Sequence, residues 1–225
     1  MMTKKVNRRS WMSGVGAAAA GVALGAGSSA LQAAQPVQDA GTFQPARHEA
    51  DAWFDTLPGK HRVILDCTSI GGAAEGIGYA TNVYSANLSG YEVENADLAI
   101  VLCLRHMATA FAFDNTMWAK YGTTLGDGVP MGRNGTAPHT TNPRNSGNRP
   151  GLDTLAGRGA HFAVCGLSTR RYASLIARAA GDGADPDTVF KELSEHTIPN
   201  AHILSAGVVA VTRAQEYGYS LIHVG

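Results

Sequence analysis

Three cysteines, Cys67, Cys103 and Cys165, are the residues of this sequence best suited to covalent chemistry. An odd number of cysteines with no close pair argues against a framework of disulfides. Cys103 lies inside a continuous apolar run, which predicts a small buried hydrophobic residue. Cys67 and Cys165 each end such a run, where an α/β sheet presents its functional groups. We therefore expect chemistry at these two thiols.

Cys165 is the stronger candidate of the two because of the residues that follow it. Gly166 permits close backbone approach, and Ser168 is a candidate cap for the next helix. Arg170 and Arg171 come directly afterwards. A thiol at a helix N-terminus beside guanidinium groups is favoured as thiolate, the reactive form. The alternative is a cysteine that only packs at the end of its strand.

Arg105 and His106 form a second candidate group, at the end of another apolar run. If neighbouring strands pair, they lie beside Cys67, where they could hold an anion or transfer a proton. The plain alternative is a polar loop. A metal or haem site assembled from Cys67, His106 and Cys165 is a further alternative, although no CxxC or HExxH motif is present.

The elements that must position these residues are predicted from apolar runs and helix signals. Strands are predicted at 62–67, 96–104, 159–165 and 219–224, and helices at 73–88, 109–121, 169–180, from 186 onward and at 205–217. Repeated strand–helix units predict an α/β sandwich with a mostly parallel sheet. Gly71 and Gly72 follow the first strand as a phosphate loop would, but the GxGxxG spacing is missing, so no nucleotide site is predicted.

Residues 1–34 have the layout of an export signal, with a basic start, a small-residue apolar run and further small residues. The pair Arg8 and Arg9 resembles a twin-arginine signal, with an ordinary secretion signal or an uncleaved anchor as the alternatives. The run lacks the roughly 20 strongly apolar residues of a spanning helix. We expect no stable membrane span, export by the twin-arginine machinery, and a periplasmic or secreted protein.

The rest of the chain divides into a polar leader arm at 35–60 and a domain at 61–225. The domain contains an insertion at 122–158 with eight Gly, four Pro, four Asn and six Thr. Such a segment is typical of a lid, a binding loop or a disordered insertion. Its four Arg against two Asp suit an anionic ligand.

Overall composition excludes several classes of protein. Of 225 residues, 44% are apolar and 16% charged, so the chain can bury a core and is not intrinsically disordered. Lys and Arg together number 18, as do Asp and Glu, and removal of residues 1–34 leaves 14 basic against 18 acidic residues. The chain has no excess of basic residues that would attract nucleic acid, so we expect no nucleic-acid partner.

Three segments in order along the domain carry a resemblance to a known family. They are a strand ending in Ala-Val-Cys-Gly at 163–166, Ile-Pro-Asn at 198–200, and a last helix with the turn Ala-Gln-x-x-Gly-Tyr at 214–219 before a closing strand. The chain from about Arg62 to its end resembles the DsrE/DsrF family of sulfur-relay proteins. The resemblance implies a three-layer sandwich of flavodoxin-like topology with about five strands, assembled as a homotrimer or homohexamer.

The same resemblance implies a function. Several family members carry sulfur as a persulfide on a cysteine that Cys165 matches, with no cofactor, between a sulfur donor and an acceptor protein or small thiol. Arg170, Arg171, Arg105, His106 and Cys67 are then expected to shape the binding site, and any enzyme activity is sulfurtransferase-like. The alternative is a non-catalytic ligand-binding or assembly module of the same fold, because other branches of the family lack the cysteine.

Overall fold

Apolar runs form the strands of one parallel sheet, because a sheet covered by helices on both faces must be apolar on both. The structure, a computed structural model, describes residues 44–129, 139–145, 147, 149–181 and 183–225. The strands are β1 (His61–Cys67), β2 (Leu98–Leu104), β3 (His161–Cys165), β4 (Ala201–Leu204) and β5 (Ser220–Val224). Their order in the sheet is β4-β3-β2-β1-β5, and every pair is parallel.

Helices connect the strands. They are α1 (Trp53–Thr56), α2 (Ile70–Tyr91), α3 (Asn115–Leu125), α4 (Leu152–Gly157), α5 (Gly166–Ala180), α6 (Pro186–Glu195) and α7 (Gly207–Glu216), with 3-10 helices at Glu49–Asp51, Asn95–Asp97 and His106–Ala112. In the described part of the chain, no helix is both long and apolar enough to cross a membrane.

Two cores lie on opposite faces of the sheet, because alternate side chains of a strand point to opposite sides. Leu65, Leu102 and Val164 pack against α2, α3, α5 and α6. Ile64 and Val101 pack against α7 and the α1 segment. The protein is therefore an α/β three-layer sandwich of the flavodoxin-like kind, as the sequence predicts.

Two elements differ from the sequence predictions. The predicted helix at 109–121 is in fact two helices, because the Asp114 side chain accepts a hydrogen bond from the Met117 amide and starts α3 anew. The first of the two is the 3-10 helix, which begins at His106. No strand was predicted at β4, whose four residues are too few to give a periodic pattern.

The insertion at 122–158 is partly structural. Leu152 and Leu155 of α4 are fully buried. The Asn142 side chain is also buried and donates hydrogen bonds to the carbonyl groups of Phe111 and Phe113, at 2.8 and 3.0 Å. This part of the insertion therefore belongs to the core, while residues 130–138, 146 and 148 lie outside the described part.

The end of the leader arm also packs into the domain. Phe54 of α1 is fully buried, and its carbonyl oxygen accepts hydrogen bonds from Tyr219 and Arg62. The Trp53 ring stacks on His202 of β4 with centroids 4.0 Å apart. Trp53, Phe54 and Leu57 thus pack on the face of the sheet that α7 covers, whereas the export signal predicted at 1–34 and residues 35–43 lie outside the described part.

Candidate functional site

Four polar or reactive side chains meet where the parallel strands end, on the face of the sheet that α7 covers. Asp66 of β1 pairs in register with Cys103 of β2 and with His223 of β5. Arg105 follows β2 two residues after Cys103, and Cys165 ends β3 two residues after the register partner of Cys103. Side chains two residues apart share a face, so Asp66, His223, Arg105 and Cys165 form one row, which we call the thiol edge.

Asp66 is the buried centre of the thiol edge. Its side chain is 6% exposed and accepts two hydrogen bonds from Arg105, at 2.5 and 2.8 Å. His223 Nδ1 lies 3.0 Å from Oδ2, the carboxylate oxygen that also accepts the hydrogen bond from Arg105 Nη2. Burial alone raises the pKa of Asp66, but the hydrogen bonds from Arg105 and His223 outweigh it and lower that pKa.

His223 is the exposed end of the same row, with a side chain 60% exposed. An ionised carboxylate only accepts hydrogen bonds, so the Nδ1 atom that faces Asp66 carries the proton. In the neutral ring, Nε2 is then left as an acceptor. The thiol edge therefore presents a hydrogen-bond acceptor, His223 Nε2, at its exposed end.

Cys165 is the N-cap residue of α5, a position that the sequence analysis assigned to later residues. Its Sγ accepts a hydrogen bond from the Ser168 amide at 3.4 Å, and its carbonyl oxygen accepts one from the Thr169 hydroxyl at 3.0 Å. The residue is 6% exposed. The Ser168 amide and the positive end of the α5 dipole therefore face the sulfur.

Arg105 binds the Asp66 carboxylate on the same row of the sheet as the Cys165 thiol. Hydrogen bonds to Asp66 raise the pKa of Arg105 most, and the charges of Cys103 and Cys165 add to the increase. The start of α7 packs on the aliphatic part of the Arg105 side chain, because Gly207 leaves room for it. The guanidinium group is thus held at the thiol edge by Asp66 and by α7.

Cys67 and Cys103 lie away from solvent. Both are fully buried, Cys67 on the face of α2 and Cys103 on the face of α7. Burial, with a contribution from Asp66, raises the pKa of the Cys67 thiol to about 12. Burial also raises the pKa of Cys103 well above its usual value. Cys67 was predicted as a binding residue, and the structure places it in the core rather than with Cys165.

The two arginines after Cys165 point to different neighbours. Arg170 forms an ion pair with Asp187 at 3.1 Å and lies over the Phe190 ring, so it joins α5 to α6. Arg171 lines a pocket of about 340 Å³ together with His106, between the 3-10 helix, α3 and α5. The structure therefore brings His106 and Arg171 together, and it is Arg105 that accompanies Cys165.

No metal centre is apparent in the described residues, since no group of three or more His, Cys, Asp or Glu is arranged to hold an ion. Cys67, His106 and Cys165, the set considered for a metal or haem and all within the described part of the chain, do not form such a group. Cys67 lies in one core, whereas His106 is exposed at the pocket.

Two members of the thiol edge, Asp66 and His223, were not among the residues predicted from the sequence. Asp66 was detectable in principle, as a carboxylate inside an otherwise apolar strand that must find a partner when buried. His223 carried no such signal, because alternation alone does not show which strand will lie beside β1.

Comparisons with known proteins do not indicate an activity for this chain. No family model and no curated protein matches the chain. Among solved structures it is similar to a protein of unknown function, MTH1491, from Methanobacterium thermoautotrophicum, at 16% identity and a TM-score of 0.37. The match covers 73% of this chain and 99% of that one.

Proposed function

We propose that this protein is an exported, DsrE/DsrF-like sulfur carrier with sulfurtransferase-like chemistry at Cys165. The observation that carries the proposal is the position of Cys165 at the N-cap of α5, on the same row of the sheet as Arg105, which follows the adjacent strand β2. A helix N-terminus and a guanidinium group both favour the thiolate that sulfur transfer requires.

The transfer itself is a thiol–disulfide type of exchange. The Cys165 thiolate attacks the outer sulfur of a donor persulfide, the S–S bond of the donor breaks, and the donor thiolate leaves as the Cys165 persulfide forms. With thiosulfate as donor, the leaving group is sulfite. An acceptor thiolate then attacks the outer sulfur of the persulfide and regenerates the Cys165 thiolate. Charge and electrons balance in each step, so no cofactor is needed.

Apolar residues around the thiol suit a protein partner. Leu167, next to α5's first residue, is 65% exposed, and Val208 in the first turn of α7 is 56% exposed. Exposed apolar side chains beside a reactive group favour docking of another protein. We propose that an acceptor protein, or another copy of the chain in a homotrimer or homohexamer, covers this region.

Export by the twin-arginine route would limit the sulfur donors to compounds and proteins found outside the cytoplasm. A periplasmic or secreted carrier meets small sulfur compounds such as thiosulfate and polysulfide, as well as proteins. We infer that the donor is one of these and that the acceptor is a protein or a small thiol in the same compartment.

The test is intact-mass analysis of the full chain after anaerobic incubation with thiosulfate or polysulfide. We expect a gain of one or more sulfur masses that is lost in Cys165→Ser and retained in Cys67→Ser. Sulfide alone, which contains no sulfane sulfur, should leave the mass unchanged without an oxidant. A folded wild-type chain that acquires no sulfur from either donor contradicts the proposal.

The low exposure of Cys165, 6%, favours a second candidate function: a non-catalytic ligand-binding or assembly module in which this cysteine only caps α5. The two candidates differ in thiol reactivity. A carrier's Cys165 reacts with iodoacetamide in the folded protein, whereas a packing cysteine reacts only after unfolding. Alkylation with and without denaturant, located by peptide mass mapping, separates the two.

A further inference from the structure

We propose that the pocket between the 3-10 helix at His106–Ala112, α3 and α5 binds a free α-amino acid with an apolar side chain. The pocket has a volume of about 340 Å³ and lies just beyond the carboxyl ends of β2 and β3. This edge is where ligands bind in open parallel sheets. The inference goes beyond sulfur transfer, and it requires nothing of Cys165.

Two opposite charges that have no partner among the described residues define the ligand class. Arg171 of α5 and Asp127, which follows α3, both line the pocket. Within the described residues, neither side chain forms an ion pair or a hydrogen bond, with the other or with any third group. A cation and an anion that face one pocket without neutralising each other match a ligand with a carboxylate and an ammonium group.

Both charges lie close to one phenol. Burial raises the pKa of Tyr172, the charge of Arg171 opposes the increase, and the charge of Asp127 adds to it. Tyr172 is 8% exposed and lines the pocket. Arg171 and Asp127 are thus within electrostatic reach of the same buried ring, so that a molecule the size of an amino acid can contact both.

The lip of the pocket is held in an unusual backbone conformation. His106, at the edge of the pocket, has a φ of 55°, a value that residues other than glycine seldom adopt. Its amide donates a hydrogen bond to the Ser168 hydroxyl at 3.1 Å, which ties the lip to α5. Backbone strain of this kind concentrates at ligand sites, where the surrounding structure maintains it. The imidazole is exposed and can bond the ligand carboxylate beside Arg171.

The floor of the pocket is apolar and already formed. The Tyr172 hydroxyl donates to the Met107 carbonyl at 3.3 Å, which satisfies its donor without a ligand. Met107, Leu175 and Ala179 supply carbon surface. An apolar side chain of the ligand would bury against them, while polar Thr123 and Thr124 border the charged side. L-Leucine combines these features in one small probe.

Isothermal titration calorimetry of the full chain tests the inference with three matched probes. L-Leucine has both charges, 4-methylpentanoate lacks the ammonium group, and 3-methylbutan-1-amine lacks the carboxylate. We expect leucine to bind about tenfold more tightly than either analogue, since each charge-assisted contact contributes on that scale. Equal affinity for leucine and 4-methylpentanoate overturns the zwitterion assignment, and so does an absence of leucine binding at about 10 mM.

Two surface variants assign the contacts. Arg171→Gln should weaken leucine and 4-methylpentanoate about tenfold without changing the amine, and Asp127→Asn should weaken leucine and the amine without changing 4-methylpentanoate. Arg170→Gln is the matched control, because the neighbouring arginine contacts α6 instead. Unchanged leucine binding in Arg171→Gln contradicts the inference. Cys165→Ser should bind leucine normally, so failure here and failure of the sulfur-carrier proposal are distinguishable.

Discussion

Asp66 holds Arg105 and His223 in the thiol edge through hydrogen bonds, and it is the least exposed member of that row, at 4%. An ionised carboxylate in the interior must be fully hydrogen-bonded. Arg105 and His223 meet this requirement from the strands on either side of β1. Arg105 is thereby fixed beside Cys165 instead of extending into solvent. At the scale of single residues, the two hydrogen bonds to Asp66 set where the Arg105 guanidinium group lies on the thiol edge.

Replacement of Arg105 by Gln should slow alkylation of Cys165 by iodoacetamide about three- to tenfold at pH 7, because the thiolate loses a neighbouring positive charge. Peptide mass mapping over time measures the rate. Arg105→Lys keeps the charge but loses the double hydrogen bond to Asp66, so we expect an intermediate rate. Arg170→Gln is the control with an unchanged rate, and a rate equal to wild type in Arg105→Gln would show that this residue does not act on the thiol.

Gly72 lies in the first turn of α2, next to the end of β5. A methyl group at Gly72 would lie 2.5 Å from the carbonyl oxygen of Gly225 and 2.6 Å from that of Val224. Gly72 therefore lets the first turn of α2 approach the end of β5. Of the two glycines that follow the first strand, Gly72 is explained by packing between a helix and a strand, whereas Gly71 has no close neighbour among the described residues.

Gly72→Ala should accordingly lower the free energy of unfolding by about 2 kcal/mol or more, because backbone atoms must move to admit the methyl group. Gly78→Ala in the same helix has open space around it and should raise the free energy of unfolding by about 0.5–1 kcal/mol. Urea denaturation followed by circular dichroism measures both. Equal effects of the two substitutions would contradict close packing at Gly72.

The whole molecule should lose stability on acidification. Burial, followed by the charge of His161, lowers the pKa of His202 to about 4. In the unfolded chain this histidine has its ordinary value of 6.5, so the unfolded state binds more protons between these pH values. His202 therefore stabilises the fold fully above pH 6.5, and this contribution is lost as pH falls toward 4. The lowered pKa of Asp66 acts with the same sign at more acidic pH.

We expect the free energy of unfolding to fall by the order of 1 kcal/mol between pH 6.5 and 4 on account of His202, after allowance for solvent screening. His202→Phe retains an aromatic ring to stack on Trp53 and should flatten the pH dependence in this window. Urea denaturation at a series of pH values measures the slope. A slope as steep in His202→Phe as in wild type would assign the acid sensitivity to other groups.

Local signals predicted much of the fold and one part of the candidate site. Apolar runs identified β1, β2, β3 and β5, and the Asp185–Pro186 pair identified the start of α6, where Asp185 accepts hydrogen bonds from two amides. Cys165 was recognised from its place at the end of a strand. Arg170 and Arg171 were expected to act together, but adjacent helical residues diverge by about 100°, and the two side chains contact different elements.

Sequence by itself determined the α/β class and the place of Cys165 at the end of a strand, because apolar runs and helix caps are properties of neighbouring residues. Tertiary structure decided which strands became neighbours. β5 lies beside β1 although 157 residues separate His223 from Asp66 along the chain, and this pairing brings the two side chains together. The order β4-β3-β2-β1-β5 likewise aligned Arg105 with Cys165. Contacts between distant segments depend on how helices and strands pack in three dimensions, which no local pattern encodes.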